Sequence, residues 1–347
     1  LTAPLGPPTL HNVSNTTHPP QPAILQIIMG AWVAQALGAI ARLGVADHLE
    51  KGPRTTAQLA EAVGANADGL GRTLRALAGV GLFTSPTPGS WALTPIGDCL
   101  RTNAEGSMRY LAIAETDHGH WQTWERFVEA VRSGAPQAKA ALGILPWDYY
   151  AAHPDEGADF SRAMASISSM SIEPVLASYD FSGASTIADV GGAFGALLAA
   201  VLRREPKARG ILFDQPQVVQ GAGPVLGDVD ARVERVGGSF LTQPLPAAEV
   251  YLLKHILHDW DDESCVTILK NVRAGMSAAS RVLIIEMIVS DQPGPAQWMD
   301  LNMMVMLGGR ERTAADYEQL LAKAGLQTAR VIPTPSPYGI VEAVISR

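Results

Sequence analysis

The run Thr186-Ile-Ala-Asp-Val-Gly-Gly-Ala-Phe-Gly195 decides the fold. A short β-prone stretch ends on clustered glycines, and a segment of helical period follows. Glycines at that point allow a tight turn and a close approach of backbone to a ligand before the helix begins. The same grammar repeats downstream. Gly210–Phe213, Val250–Leu253 and Val282–Ile285 read as further strands with helical segments between them, the alternation of a mostly parallel sheet covered by helices. Two β-prone runs within Thr328–Ser346, parted by Thr334-Pro-Ser-Pro337, read as an antiparallel edge.

In such an open sheet, ligands bind outside the carboxyl ends of the strands. The first strand ends in Asp189-Val-Gly191-Gly192-Ala193-Phe194-Gly195, and the second in Asp214. A carboxylate there can accept both hydroxyls of a ribose, or can simply open the turn before Pro216. No Gly-x-x-x-x-Gly-Lys-Ser/Thr occurs, which removes a phosphate-cradling loop, and the spacing departs from the dinucleotide pattern Gly-x-Gly-x-x-Gly. The third strand exits into Lys254-His255-Ile-Leu-His258-Asp259-Trp260. A histidine between a strand end and a helix start has the position of a catalytic base, although an isolated histidine is usually a hydrogen-bonded bystander. Metal ligation by His255, His258 and Asp259 is disfavoured, because no Glu falls between the histidines at zincin spacing. Glu286 ends the fourth strand, and Glu311 lies in Gly308-Gly-Arg310-Glu311-Arg312-Thr313. Each alone reads as a solvated charge. A histidine flanked by both would be held in one tautomer and stabilised on taking a proton.

Upstream, Arg54 to Phe83 has a helix-turn-helix shape, with Asn66-Ala-Asp68 opening its second helix, and Leu82–Thr84 and Trp91–Leu93 look like a wing hairpin. Arg54, Arg72 and Arg75 against Glu61 and Asp68 leave a net +1, too little for a footprint on phosphates, so the winged helix reads as a structural or dimerisation module. The apolar stretch Ile24–Ala41 is interrupted by Gln26 and Gln35 and lacks a basic flank, so it reads as a helix buried in a core or a subunit interface, not as a membrane span. Residues 104–180 read as helices rich in aromatics, among them His118, His120, Trp121, Trp124, Phe127, Trp147, Tyr149 and Tyr150, which belong to a core or wall an apolar pocket. The methionines of Trp298-Met299-Asp300-Leu301-Asn302-Met303-Met304-Val305-Met306 present the same choice.

The 347 residues carry a net charge of -8, from 26 Lys+Arg against 34 Asp+Glu, which sets the surface against nucleic acid and anionic membrane. Cys99 and Cys265 stand far apart, without disulfide or zinc spacing, in keeping with a cytoplasmic setting. The first residues, rich in Pro, Thr and Asn, read as a disordered tail without the features of a secretory signal, so the sequons at Asn12 and Asn15 read as chance.

The glycine loop, the Phe213-Asp214-x-Pro216 step, Val236-Gly237-Gly238, the Lys254-x-Ile-Leu-His258-Asp259-Trp260 block and Gly308-Gly-Arg-Glu311-Arg-Thr313 resemble the caffeic-acid and hydroxyindole type of O-methyltransferase, including its bacterial natural-product members. The resemblance covers residues 24 to 347. It implies a Rossmann-like α/β sheet preceded by a helical, winged-helix dimerisation domain: a tail over 1–22, the dimerisation domain over 23–103, a helical region over 104–180 contributing to an acceptor pocket, and a cofactor-binding catalytic domain over 181–347. It implies S-adenosylmethionine as methyl donor, with Gly191 at its methionine part, Asp214 at the ribose, Ser239, Phe240 and Trp260 at the adenine and Lys254 near the carboxylate end. His258 becomes the general base, bracketed by Glu286 and Glu311 with Asp259 beside it, and Trp121, Asn302, Met303 and Met306 become acceptor contacts. The chain departs from the family pattern at Ser239, where Asp is frequent, and at Ala193, where the loop has a third glycine. The expected enzyme is a metal-free homodimer acting on a hydroxyl of a small aromatic molecule in secondary metabolism. Two other classes share these features: a cofactor-binding relative that performs hydroxylation, decarboxylation or a pericyclic reaction, and a winged-helix DNA-binding regulator.

Overall fold

A computed structural model describes residues 20–346. The tail expected over 1–22 therefore lies almost entirely outside the described residues, as do Asn12 and Asn15. Gln21 and Pro22 already belong to a helix, Gln21–Leu43, because proline is preorganised for a first helical turn. The described chain divides into two units, one reaching to Trp121 and including Trp147–Ile167, the other comprising Gln122–Pro146 and the chain from Ser168 onward.

In the first unit, β1 (Arg54–Thr55), β2 (Phe83–Thr84) and β3 (Ser90–Leu93) form a small antiparallel sheet in the order β1-β3-β2. Thr56–Val63 and Ala67–Ala78 are its two helices. The expected helix-turn-helix is present, but its first two residues form a third wing strand, because Thr55 is extended as the N-cap of a capping box with Gln58. Asn66 caps the second helix by accepting from the Gly69 amide at 3.0 Å. Leu59, Leu70, Leu74, Leu77, Phe83 and Trp91 close the core. Of the two readings of the helix Gln21–Leu43, a core helix and an interface helix, the single chain excludes the first. Only Gly38, Ile40 and Ala41 are buried, while Ile24, Leu25, Ile27 and Ile28 are exposed and Trp32 is 65% exposed. By length and composition alone it could cross a membrane.

The second unit is built on β4 (Thr186–Val190), β5 (Arg209–Asp214), β6 (Val233–Gly237), β7 (Ala248–Lys254), β8 (Met276–Val289), β9 (Arg312–Thr313), β10 (Leu326–Pro333) and β11 (Tyr338–Ile345). The sheet order is β10-β11-β8-β7-β4-β5-β6, with β9 pairing β8. Strands β4 to β8 run parallel, and β11 and β10 add on antiparallel. Alternate residues feed two apolar cores on opposite faces: Ala188, Val190, Phe213 and Leu253 on one, Ile187, Leu212, Leu252 and Leu283 on the other. Strand β6 has no counterpart among the strands read from the sequence. Its Val-Glu-Arg-Val-Gly composition lacks an apolar run, since it is a half-exposed edge.

Candidate functional site

The carboxyl ends of β4, β5, β7 and β8 point the same way, so their loops collect on one side of the sheet. Gly191 leaves β4 at φ +68, and a Cβ there would sit 2.4 Å from Ile256 Cδ1 and 3.4 Å from Phe240 Cε1. Only glycine leaves this floor open. Ala193 is also left-handed, at φ +49, and its amide donates to Asp214 Oδ2 at 2.8 Å, while the Gln215 amide donates to Oδ1 at 2.7 Å. The carboxylate is thus fixed with lone pairs to spare. The Ser239 hydroxyl accepts from the Leu241 amide at 3.3 Å, and Asn271 Nδ2 donates to the Phe240 carbonyl at 2.8 Å. The Phe240 ring meets Trp260 edge-on, with centroids 5.9 Å apart. Gly191 and Trp260 thus both approach Phe240, and Asp214 stands at the end of the adjacent strand.

Asp189 is buried near the end of β4, and its carboxyl is pushed up to about 6 by burial and by Asp214, against the pull of Lys254. Lys254 donates from Nζ to Ser168 Oγ at 2.7 Å, and burial lowers its pKa against the opposing charges of Asp189 and Glu286.

The second cluster surrounds His258, which lies in a single 3-10 turn, Leu257–Asp259. Its Nδ1 is 2.7 Å from Glu311 Oε1 and 3.6 Å from Glu286 Oε2, and its Nε2 is 3.5 Å from Asp259 Oδ1. Glu286 is fully buried, and its Oε1 accepts from the Ile256 and Leu257 amides at 2.9 and 3.0 Å. Burial alone would lower the His258 pKa, but Glu286, Asp259 and Glu311 together raise it to about 10. Glu286 itself is raised to about 7, by burial first and by Glu311 and Asp259, against His258. His255 takes φ +55, a conformation costing about 1–3 kcal/mol in a residue other than glycine.

Several supports of this cluster carried no assigned role in the sequence reading. Gly309 packs flat on the loop, where a Cβ would fall 1.9 Å from the His258 carbonyl oxygen, and the Arg310 amide donates to that oxygen at 2.9 Å. Asp300 Oδ1 holds the Glu311 amide at 2.9 Å. Arg312, 1% exposed, donates to the Leu257 and Trp260 carbonyls and to Asp262, clamping the segment from 257 to 262. Gly309 and Arg312 belong to the Gly308–Thr313 stretch and Asp300 to the methionine-rich helix, and nothing in those sequences encodes which carbonyl or amide each reaches.

The helix Pro295–Met306 carries Asn302, Met303 and Met306. Asn302 Oδ1 accepts from Trp124 Nε1 at 2.9 Å, and Trp124 stacks on Phe127. Met303 is buried, and Met306 packs with Ala130 and Val305 as core. Trp121 stands in the other unit, on the helix His118–Glu125.

A mostly parallel sheet with a glycine cradle, a strand-end carboxylate and a carboxylate-flanked histidine defines a class of cofactor-dependent transferase. The chain belongs to the O-methyltransferase family: residues 124–327 match the O-methyltransferase domain and residues 25–103 the O-methyltransferase dimerisation domain. It is 39% identical to the phenazine O-methyltransferase PhzM of Lysobacter antibioticus over 92% of this chain and 95% of that protein. It is 32% identical to the phenazine-1-carboxylate N-methyltransferase of Pseudomonas aeruginosa, covering 92% and 96% of the two. Among solved structures, the neocarzinostatin-biosynthesis O-methyltransferase NcsB1, in complex with S-adenosylmethionine and 2-hydroxy-5-methyl naphthoic acid, aligns with TM-score 0.76 and 33% identity over 90% of this chain and 95% of that one. The protein is an S-adenosylmethionine-dependent methyltransferase with the fold expected from its sequence.

The residues present fit that cofactor. The floor at Gly191, which any side chain would fill, the aromatic pair Phe240 and Trp260 and the spare acceptors of Asp214 are what a flat base and a diol require. His258, Glu286 and Glu311 form the one group among the described residues that could surround a metal ion. The 2.7 Å between Nδ1 and Oε1 suits a shared proton better; two ligands of one tetrahedral metal stand roughly 3.3 Å apart.

Proposed function

We propose that this enzyme methylates a hydroxyl of a small aromatic natural product, with His258 as general base acting through Nε2. One observation carries the reading: His258 Nδ1 is tied to Glu311 Oε1 at 2.7 Å, which fixes the tautomer and leaves Nε2 to meet an acceptor. A hydroxyl must lose a proton when it is methylated and an unsubstituted ring nitrogen need not, so a buried base supported by Glu286, Glu311 and Asp259 favours oxygen.

Asp214 would hold the ribose hydroxyls of the cofactor; Gly191, Ser239, Phe240 and Trp260 would border its base and methionine parts, and Lys254 would face its carboxylate end. When bound, the cofactor supplies a methyl group on a sulfonium, an electrophile needing only a nucleophile in line. His258 takes the acceptor proton on Nε2. Glu286 and Glu311 stabilise the resulting imidazolium, and the raised pKa of His258, about 10, matches that of a phenol, also about 10, so the transfer itself is close to level. Reaching the neutral imidazole at pH 7 then costs about 4 kcal/mol, the same cost that ionising a phenol at that pH imposes on any base. Asn302 and Met303 would bound the acceptor, with Met306 packed behind them. The working form is a cytoplasmic homodimer joined through the first unit.

Mass spectrometry of products from a phenol panel tests the reading. The expected result is a single methyl added by the wild type and a turnover lower by about 10²–10⁴-fold in His258→Ala. Undiminished methylation by the variant would remove His258 from its role.

A further inference from the structure

Among the described residues only two other than glycine have positive φ, Ala193 and His255, and each stands where a strand of the sheet gives way to a site loop. At Ala193 the turn delivers the residue's own amide to Asp214. His255 does the equivalent at the catalytic cluster. Its amide donates to the Ile285 carbonyl at 3.2 Å, and the next two amides, of Ile256 and Leu257, converge on Glu286 Oε1 at 2.9 and 3.0 Å. A left-handed residue followed by a right-handed one turns successive amides inward into an anion-binding hollow, and Ile256 is right-handed. Glu286 Oε1 occupies that hollow, which leaves Oε2 toward His258 Nδ1 at 3.6 Å.

The imidazole of His255 takes no part in this. Its Nε2 is shut off from solvent and has no hydrogen-bond partner, and its ring lies between those of His258, at 5.6 Å, and Tyr338, at 4.7 Å. Histidine, like asparagine, enters the left-handed region more readily than other side chains.

We propose that His255 is a positioning residue that acts through its backbone: its left-handed turn aims the Ile256 and Leu257 amides at Glu286 and so holds that carboxylate beside His258. The inference rests on His258 being the base, but its test can be read without turnover. The groups facing His258 are His255, Asp259, Glu286 and Glu311. Those facing Glu286 include Lys254, Cys265, Tyr317 and Tyr338. None of these changes in either variant below except His255.

His255→Asn keeps the left-handed preference and discards the ring, whereas His255→Val opposes the turn through its β-branch. The readouts are the NMR titration of His258 and, separately, kcat and KM for a phenol. In His255→Val the expected results are a His258 titration displaced downward by about one pH unit or more, as its carboxylate is released, and a lower kcat at little-changed KM. His255→Asn should recover the wild-type titration and most of the turnover. Loss in both variants would place the function in the ring and overturn the proposal, and so would a Val variant indistinguishable from wild type. Should the Val variant fail to fold, the Asn variant decides alone: a displaced titration in it overturns the proposal, and a wild-type one supports it. Failure of the base assignment would show differently, as wild-type turnover in His258→Ala with the His255 titrations still as expected.

Discussion

His258 works in an environment that makes it a far stronger base than free imidazole. With its pKa raised to about 10, His258 is mainly imidazolium at neutral pH, and if it is the base proposed above, the active fraction grows as pH rises toward that value. The log of kcat/KM should therefore climb with pH and level off near 10. Glu311→Gln removes one of the carboxylates that raise the pKa, so the plateau should move down toward the ordinary histidine value of about 6.5. Profiles for two phenols of different acidity check this. A plateau that follows the phenol and ignores the Glu311 substitution would place the titration in the acceptor.

Among the elements, the β4 loop is the least tolerant of change. Gly191→Ala puts a methyl at a left-handed position and into Ile256 Cδ1, so S-adenosylhomocysteine affinity, measured by calorimetry, should drop at least tenfold. Asp214→Ala should do the same through the lost ribose bonds, whose worth is about 1.5–3 kcal/mol; unchanged heats in both variants would move the cofactor elsewhere. The strands β4, β5, β7 and β8 were legible because sheets covered on both faces demand continuous apolar runs, such as Ile211-Leu-Phe. The edge strand β6 was not, since Glu234 and Arg235 are both exposed there, so no such run is required. The candidate site was legible as far as local chemistry reaches: His258 next to a strand end, Asp214 at another, Glu286 at a third. What brings Glu311 to Nδ1 is long-range, the Asp300 cap on its amide and the Arg312 clamp on the His258 loop, and no periodicity encodes which carbonyl a buried arginine will find. The left-handed turn at His255 is equally silent, since the surrounding Lys254-His255-Ile-Leu carries no glycine to announce it.

For the molecule as a whole, the helix Gln21–Leu43 is the surface on which association should depend. Its apolar face is bare in the single chain, with Trp32 65% exposed, and the segment belongs largely to the dimerisation domain, so a second copy should cover it. Trp32→Glu should convert a species of twice the chain mass to one of the chain mass by light scattering, without altering the catalytic unit's circular dichroism; an unchanged mass would mean that the interface lies elsewhere. A different consequence attaches to β11, which is placed not at the rim but between β8 and β10, its Tyr338 and Gly339 paired with Met287 and Glu286. During synthesis the strand bearing Glu286 waits, one edge unpaired, until more than fifty further residues have left the ribosome. That stretch of synthesis leaves a hydrophobic edge open to mispairing, and Glu286 meets its β11 neighbour Gly339 only after the intervening segment has emerged.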